Sequence, residues 1–166
     1  MELDTLKDLY VEELKDLYSA EKQILKALPQ MIKKASHPGL KRAFTEHERQ
    51  TRGHVTRLER IFKDLEERPG GKKCHGMEGV LEEGKELIKE KPEPEVLDAS
   101  MISAAQHVEH YEMAGYGTVR TYASELGFER HAELLQQTLD EERQADDILS
   151  QLAERAINLE AAGRAD

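Results

Sequence analysis

Four long segments of the chain carry apolar residues at alternating steps of three and four, the spacing that places them on one face of an α-helix. Proline and glycine interrupt the chain between these segments, and both residues disfavour the interior of a helix. The breaks are at Ser36-His37-Pro38-Gly39, Pro69-Gly70-Gly71, Pro92 with Pro94, and Gly127. The pattern predicts an all-α protein with four helices, at about residues 5–35, 38–67, 96–126 and 128–161.

The composition supports this prediction. Charged residues make up 35% and aromatic residues 5% of the 166 positions, tryptophan is absent, and strong helix formers dominate. A chain of this length can bury one sizeable core, so we expect residues 1–166 to form a single domain.

The connections between the helices indicate how they are arranged. Very short turns join the first helix to the second and the third to the fourth, so each pair should form an antiparallel hairpin. The connector over residues 68–95 is much longer and contains Cys74 and an amphipathic run at about 77–91, which predicts a small helix. We therefore expect a ferritin-like four-helix bundle with a long crossover, and a five-helix up-and-down array is the alternative.

Charge and cysteine content narrow the partners that we expect. The net charge of −10 argues against nucleic acid, because phosphate binding needs a basic surface. Cys74 is the only cysteine, the N-terminus lacks the pattern of a signal peptide, and no apolar run approaches the ~20 residues of a membrane span. We expect a cytoplasmic protein that binds neither nucleic acid nor a membrane.

Polar residues interrupt the apolar stripe near the middle of each predicted helix. Glu112 and Glu142 are equally distant from the turn at Gly127, and Glu21 and His54 are equally distant from the first turn. Residues equally distant from a tight turn lie level in an antiparallel hairpin, so these side chains should converge at one height. The full set is Glu21, His47, His54, Glu109, Glu112, Glu142 and Asp146.

This set of polar residues predicts a metal site. A single glutamate or histidine in such a stripe is more often hydrogen-bonded within the protein, but an unpaired buried carboxylate costs several kcal/mol and seven such residues need compensation. No lysine or arginine occupies the stripes, whereas two divalent cations would offset most of the charge of the five carboxylates. Carboxylate and imidazole ligands suit iron best, with manganese or zinc as alternatives.

With these residues in view, the chain resembles the YciE/YciF-type ferritin-like proteins, a bacterial group associated with stress responses. The resemblance covers nearly the whole length. Its most specific parts are Tyr18-Ser19-Ala20-Glu21-Lys22-Gln23, Cys74 with Met77-Glu78-Gly79, and Ala104-Ala105-Gln106 through Glu109-His110-Tyr111-Glu112 to Tyr116-Gly117-Thr118.

The resemblance implies a ferritin-like bundle, a homodimer and a dinuclear metal site similar to that of rubrerythrins. The ligands that it implies are Glu21, His47, Glu109, Glu112, Glu142 and Asp146. The second helix departs from the family pattern, with Gln50 where relatives typically have Glu and His54 where they often have Gln. One carboxylate is thereby exchanged for an imidazole, which implies altered metal affinity or one bound ion instead of two.

Three functions are compatible with the sequence. The first is an enzyme that reduces oxygen or peroxide with electrons from an external donor, since there are no rubredoxin-like cysteine pairs. The second is a protein that sequesters iron or manganese. The third is a metal-free structural or interaction protein that acts through its surface.

Overall fold

The computed structural model describes residues 3–163, and every regular element in that range is helical. The all-α prediction is therefore confirmed. None of the helices in these residues is long and apolar enough to cross a membrane. The helices are α1 (Leu6–Lys34), α2 (Pro38–Asp64), α3 (His75–Lys89), α4 (Pro94–Glu125), α5 (Glu129–Leu152), a π-helical turn (Ala153–Ile157) and α6 (Asn158–Ala161).

Local chemistry fixes the helix ends that set the register of each hairpin. Thr5 and Asp8 form a capping box at the start of α1, each side chain accepting from the backbone N–H of the other residue. Gly127 has a φ of 75° after α4, and the N–H of Phe128 donates to the carbonyl of Ala123 at 2.8 Å. This is a Schellman ending, which favours glycine because other residues are strained at positive φ.

The helices pack as a ferritin-like bundle. The hairpins α1/α2 and α4/α5 lie side by side, with α1 against α4 and α2 against α5. α3 lies in the crossover and packs on the outside of α4 and α1. This position corresponds to the predicted long crossover with a small helix, and it differs from the up-and-down array considered as the alternative.

The fourth predicted helix differs from a single regular helix. α5 begins at Glu129 and is followed after Leu152 by the π-helical turn. Buried residues there recur at Leu149, Ala153 and Ile157, and two successive steps of four drift away from a face of period 3.6. The wider π turn offsets this drift and keeps all three side chains against the core.

A buried aspartate ties the first hairpin to α4. Asp98 is 1% exposed, and its two carboxylate oxygens accept from the backbone N–H groups of Ser36 and His37 at 2.9 and 2.7 Å. The hydroxyl of Ser36 donates to the same carboxylate at 2.6 Å. Both oxygens of this buried carboxylate accept hydrogen bonds, as expected for a carboxylate with a purely structural role.

The core is divided into two apolar clusters along the bundle. One cluster contains Ile24, Phe44, Met101 and Leu149, and the other contains Leu14, Leu58, Tyr116 and Leu139. Each of the four bundle helices contributes to both clusters. In each helix, the residues between the two clusters are the polar ones that interrupt the apolar stripe.

Candidate metal centre

A layer of buried polar side chains separates the two apolar clusters, and it contains six of the seven predicted ligands. None of its residues is more than 6% exposed, and all four bundle helices contribute to it. The layer, which we call the polar layer, consists of Glu21, His47, Thr51, His54, Glu109, Glu112 and Glu142.

Potential ligand atoms in the polar layer form two groups that share Glu142. His47, Glu109 and Glu112 form the first group with Glu142, and Glu21 and His54 form the second group with it. In each group, one ligand atom from every residue lies within 4.8 Å of all the others. This arrangement matches two adjacent cation sites with one bridging carboxylate.

Many polar atoms in these six residues have no hydrogen-bond partner among the described residues. Both carboxylate oxygens of Glu112 and of Glu142 are buried without a hydrogen-bond partner, whereas both oxygens of Asp98 accept hydrogen bonds. Leaving buried polar atoms unpaired is costly, so this concentration needs an explanation. The other unpaired atoms are Glu21 Oε2, His47 Nδ1 and Nε2, His54 Nδ1, and Glu109 Oε2.

The charges in the polar layer are strongly coupled. Burial, together with the charge of Glu142, raises the pKa of both Glu109 and Glu112 well above its ordinary value. Burial would also raise the pKa of Glu142, but the neighbouring Glu109 carboxyl and His54 ring outweigh it and lower the pKa to about 2. In the absence of a cation, burial and mutual repulsion therefore disfavour the charged forms of Glu109 and Glu112.

The carboxylates around His54 favour its protonated form. Burial alone would lower its pKa, but the charge of Glu21, the hydrogen bond to Glu141 and the nearby Glu142 carboxylate raise the pKa to about 11. Its Nδ1 lies 3.2 Å from Glu21 Oε1 and 2.9 Å from Glu142 Oε1. A metal ion bound by Nδ1 would take the place of a proton on this nitrogen.

Two residues that the sequence analysis did not identify hold His54 in place. Glu141 Oε2 lies 2.8 Å from His54 Nε2, and Arg57 donates to both oxygens of Glu141 at 2.8 Å. The bonds from Arg57 lower the pKa of Glu141 to about 2, which keeps it charged. Because Glu141 binds Nε2, the other ring nitrogen faces Glu21 and Glu142, as in carboxylate–histidine–metal arrangements.

Other polar contacts support the layer. The hydroxyl of Tyr116 donates to Glu21 Oε1. The hydroxyl of Thr51 donates to the backbone carbonyl of His47 at 2.8 Å. These contacts fix the α1 and α2 sides of the layer.

Asp146 lies outside both ligand groups. Its carboxylate accepts from Gln106 Nε2 at 3.1 Å, and its other oxygen lies 3.3 Å from the exposed His110 Nε2. Asp146 follows Glu142 by four residues, which on an α-helix rotates the side chain about 40° further round the axis. The structure therefore turns Asp146 toward α4 and away from the layer, and direct ligation by Asp146 stays a prediction.

Comparison with known proteins places the chain among relatives of similar length. Residues 5–162 match the family described as Domain of unknown function (DUF892). The chain is 39% identical over 166 residues to the protein YciF of Escherichia coli K12, covering 99% of this chain and 100% of YciF. The crystal structure of the E. coli stress protein YciF matches with a TM-score of 0.90, covering 94% of this chain and 99% of YciF.

Two further solved structures share this architecture. YcfI of Rhodopseudomonas palustris is 39% identical, with a TM-score of 0.87 and coverage of 90% of this chain and 95% of YcfI. A protein of Xanthomonas campestris is 18% identical, with a TM-score of 0.76 and coverage of 95% and 97%, and it shares the fold alone. Because the family match spans nearly the whole chain, the protein belongs to the DUF892 family, as a member of its YciF type.

Proposed function

We propose that the polar layer binds two divalent metal ions, with Glu142 shared between them. The observation that carries the proposal is the set of buried carboxylate and imidazole atoms, in two adjacent groups, that have no partner within the described residues. A cation in each group would provide that partner. Hard oxygen ligands with one imidazole for each ion favour iron, and manganese and zinc are the alternatives.

The charge balance favours two ions. The layer contains the four carboxylates of Glu21, Glu109, Glu112 and Glu142. Two divalent cations would neutralise them fully with both histidines uncharged. One divalent cation together with protonated His54 would leave one negative charge buried, which is costly in a dry interior. We therefore expect a stoichiometry of two ions per chain.

Oxygen or peroxide chemistry is the reaction class that we propose for this centre. When bound by the two ligand groups, a pair of redox-active ions would supply electrons for reduction of the oxidant and would offset its negative charge. The protein's part is to hold Glu142 between the groups, to orient His54 through Glu141 and to exclude water. Cys74 is buried and is the only cysteine, so the electrons would come from a separate donor.

Metal analysis of the protein purified from iron- or manganese-supplemented cultures tests this proposal. We expect about two ions per chain, and consumption of peroxide by the iron-loaded protein. A Glu109→Gln/Glu112→Gln double variant should retain no more than about one ion per chain, because it removes two charged ligands of the first group and leaves the second group unchanged. Stoichiometric metal without turnover would reject the redox reaction and keep the binding function. No metal under any loading condition would reject the proposal.

A metal-free structural role is the second candidate. A structural role is suggested for the relative YcfI, and His54 in this chain lies within ion-pair distance of Glu21 and Glu142 without any metal. Under this alternative the protonated imidazole would replace one cation and the protein would act through its surface. Absence of metal together with a high melting temperature in chelator would favour it.

We also propose the homodimer and the cytoplasmic, stress-related setting that the family resemblance implies. The relation to E. coli YciF, which is described as a stress protein, supports the stress-related role. Light scattering after size-exclusion chromatography measures the oligomeric state. A monomer at all concentrations would contradict the dimer without affecting the metal site.

A further inference from the structure

An apolar cavity lies directly beside the polar layer, in the half of the bundle that contains Ile24, Phe44 and Leu149. Its volume is about 140 Å³, and residues from all four bundle helices and from α3 line it. Protein cores rarely leave voids much larger than a water molecule. A cavity of this size at this position therefore needs a reason in the sequence.

Four alanines create the cavity, one from each bundle helix. Ala27, Ala43, Ala105 and Ala145 all line it. Larger residues of the same helices, such as Leu28 and Leu149, line it as well. Small side chains contributed by all four helices leave a space that larger ones would fill.

The wall of the cavity nearest the polar layer is formed by two residues of the first ligand group. His47 and Glu109 line the cavity and are only 6% and 2% exposed. Both ring nitrogens of His47 and one oxygen of Glu109 have no hydrogen-bond partner among the described residues. Gln50 and Gln144 stand at the solvent side, so the cavity reaches from the surface to the ligands.

From this arrangement we infer that the cavity binds one small apolar organic molecule, about the size of benzene, in contact with the first ligand group. The inference rests on the proposed metal centre only for the contact between the bound molecule and a metal ion. An apolar cavity of about 150 Å³ engineered in another protein stays dry and binds benzene. A polar molecule would lose hydrogen bonds to water that these mostly apolar walls do not replace.

Binding of benzene to chelator-treated protein tests the cavity without any metal. Isothermal titration calorimetry should show saturable binding of one molecule per chain. Ala105→Leu, which fills the cavity from α4, should weaken this binding at least about tenfold. Ala114→Leu on the exposed face of the same helix is the matched control and should bind as the wild type does. No saturable binding, or equal binding by Ala105→Leu, would overturn the inference.

A second cavity-filling variant keeps the test decisive if Ala105→Leu does not fold. Ala27→Leu adds the same side chain from α1, at a half-buried position where the backbone has more room to adjust. Circular dichroism establishes that each variant is folded before its binding is measured. Reduced binding by folded Ala105→Leu supports the assignment, and wild-type binding by that variant excludes it; if Ala105→Leu does not fold, the same two outcomes are read from Ala27→Leu.

Relaxation of benzene protons in the manganese-loaded protein tests the contact with the ligand group. Bound Mn²⁺ should accelerate proton relaxation of benzene in the wild type, the zinc-loaded protein should not, and Ala105→Leu should lose the effect. Benzene binding without this acceleration, in protein shown to contain manganese, would place the molecule away from the ligands and contradict the inference. Failure of manganese to bind at all would reject the metal centre, while the calorimetric result would still decide the cavity.

Discussion

Glu112→Gln is expected to change the thermal stability of the protein in opposite directions with and without metal. In chelator, the substitution replaces a fully buried carboxyl group, which has acidic neighbours, by a neutral amide of the same shape. Removing the cost of keeping such an ionisable group in the interior stabilises a protein by about 1–3 kcal/mol. For a chain of this size the melting temperature should rise by about 2–4 °C for each kcal/mol.

With metal, the same substitution removes a ligand and should lower the melting temperature. A bound ion stabilises the folded state by about 4 kcal/mol when its free concentration is about 1,000 times the dissociation constant. Each bound ion should therefore raise the melting temperature of the wild type by about 8–16 °C above that of the chelated protein, and Glu112→Gln should lose most of the contribution of the first group.

Calorimetric melting curves in chelator and in excess Mn²⁺ measure both effects. Glu133→Gln on the exposed surface of α5 makes the same chemical change and should shift stability by no more than about 0.5 kcal/mol in either condition. A Glu112→Gln variant that melts higher than the wild type in excess metal would contradict the ligand assignment. So would a variant that is destabilised equally in both conditions.

Glu141→Gln is expected to weaken metal binding by about tenfold to a hundredfold without removing a ligand. Glu141 binds His54 Nε2 and is itself held by both guanidinium nitrogens of Arg57. The neutral amide gives His54 less electron density and opposes the guanidinium with its own N–H groups. The ring is then less basic and less firmly oriented toward Glu21 and Glu142.

Competition with a chromophoric chelator measures this change in affinity. Asp140→Asn provides the matched control, because Asp140 is the neighbouring residue and its side chain is 62% exposed. The control should bind metal as the wild type does. An equal loss in both variants would assign the effect to net charge, and wild-type affinity in Glu141→Gln would remove Glu141 from the metal centre.

The fold and the height of the polar layer were predictable because both follow from distances along the chain. Gly127 fixes the second hairpin, so Glu112 and Glu142 had to lie level once their segments were helical. The short first turn places Glu21 and His54 in the same way. Periodicity and turn position therefore sufficed to bring residues from all four helices to one layer.

Features that depend on side-chain direction were not predictable in the same way. Asp146 fits the alternating steps of three and four, but the rotation of a regular helix turns it toward Gln106. Glu141 and Arg57 look like ordinary surface charges until α2 and α5 are placed together. Their only signal is that Arg57 follows His54 by three residues while Glu141 adjoins Glu142.

The cavity was hidden for a related reason. Ala27, Ala43, Ala105 and Ala145 each read as a normal helix-forming residue, and only the packed bundle shows that they face a common space. The π-helical turn was missed because its buried residues still recur at a helical spacing.

Anomalous diffraction from crystals grown with Mn²⁺ tests whether cations hold these buried carboxylates together. We expect two anomalous peaks inside the polar layer, one among His47, Glu109 and Glu112 and the other between Glu21 and His54, with Glu142 contacting both. Metal-supplemented crystals without an anomalous peak in the layer, and with these side chains hydrogen-bonded only to one another, would contradict this expectation.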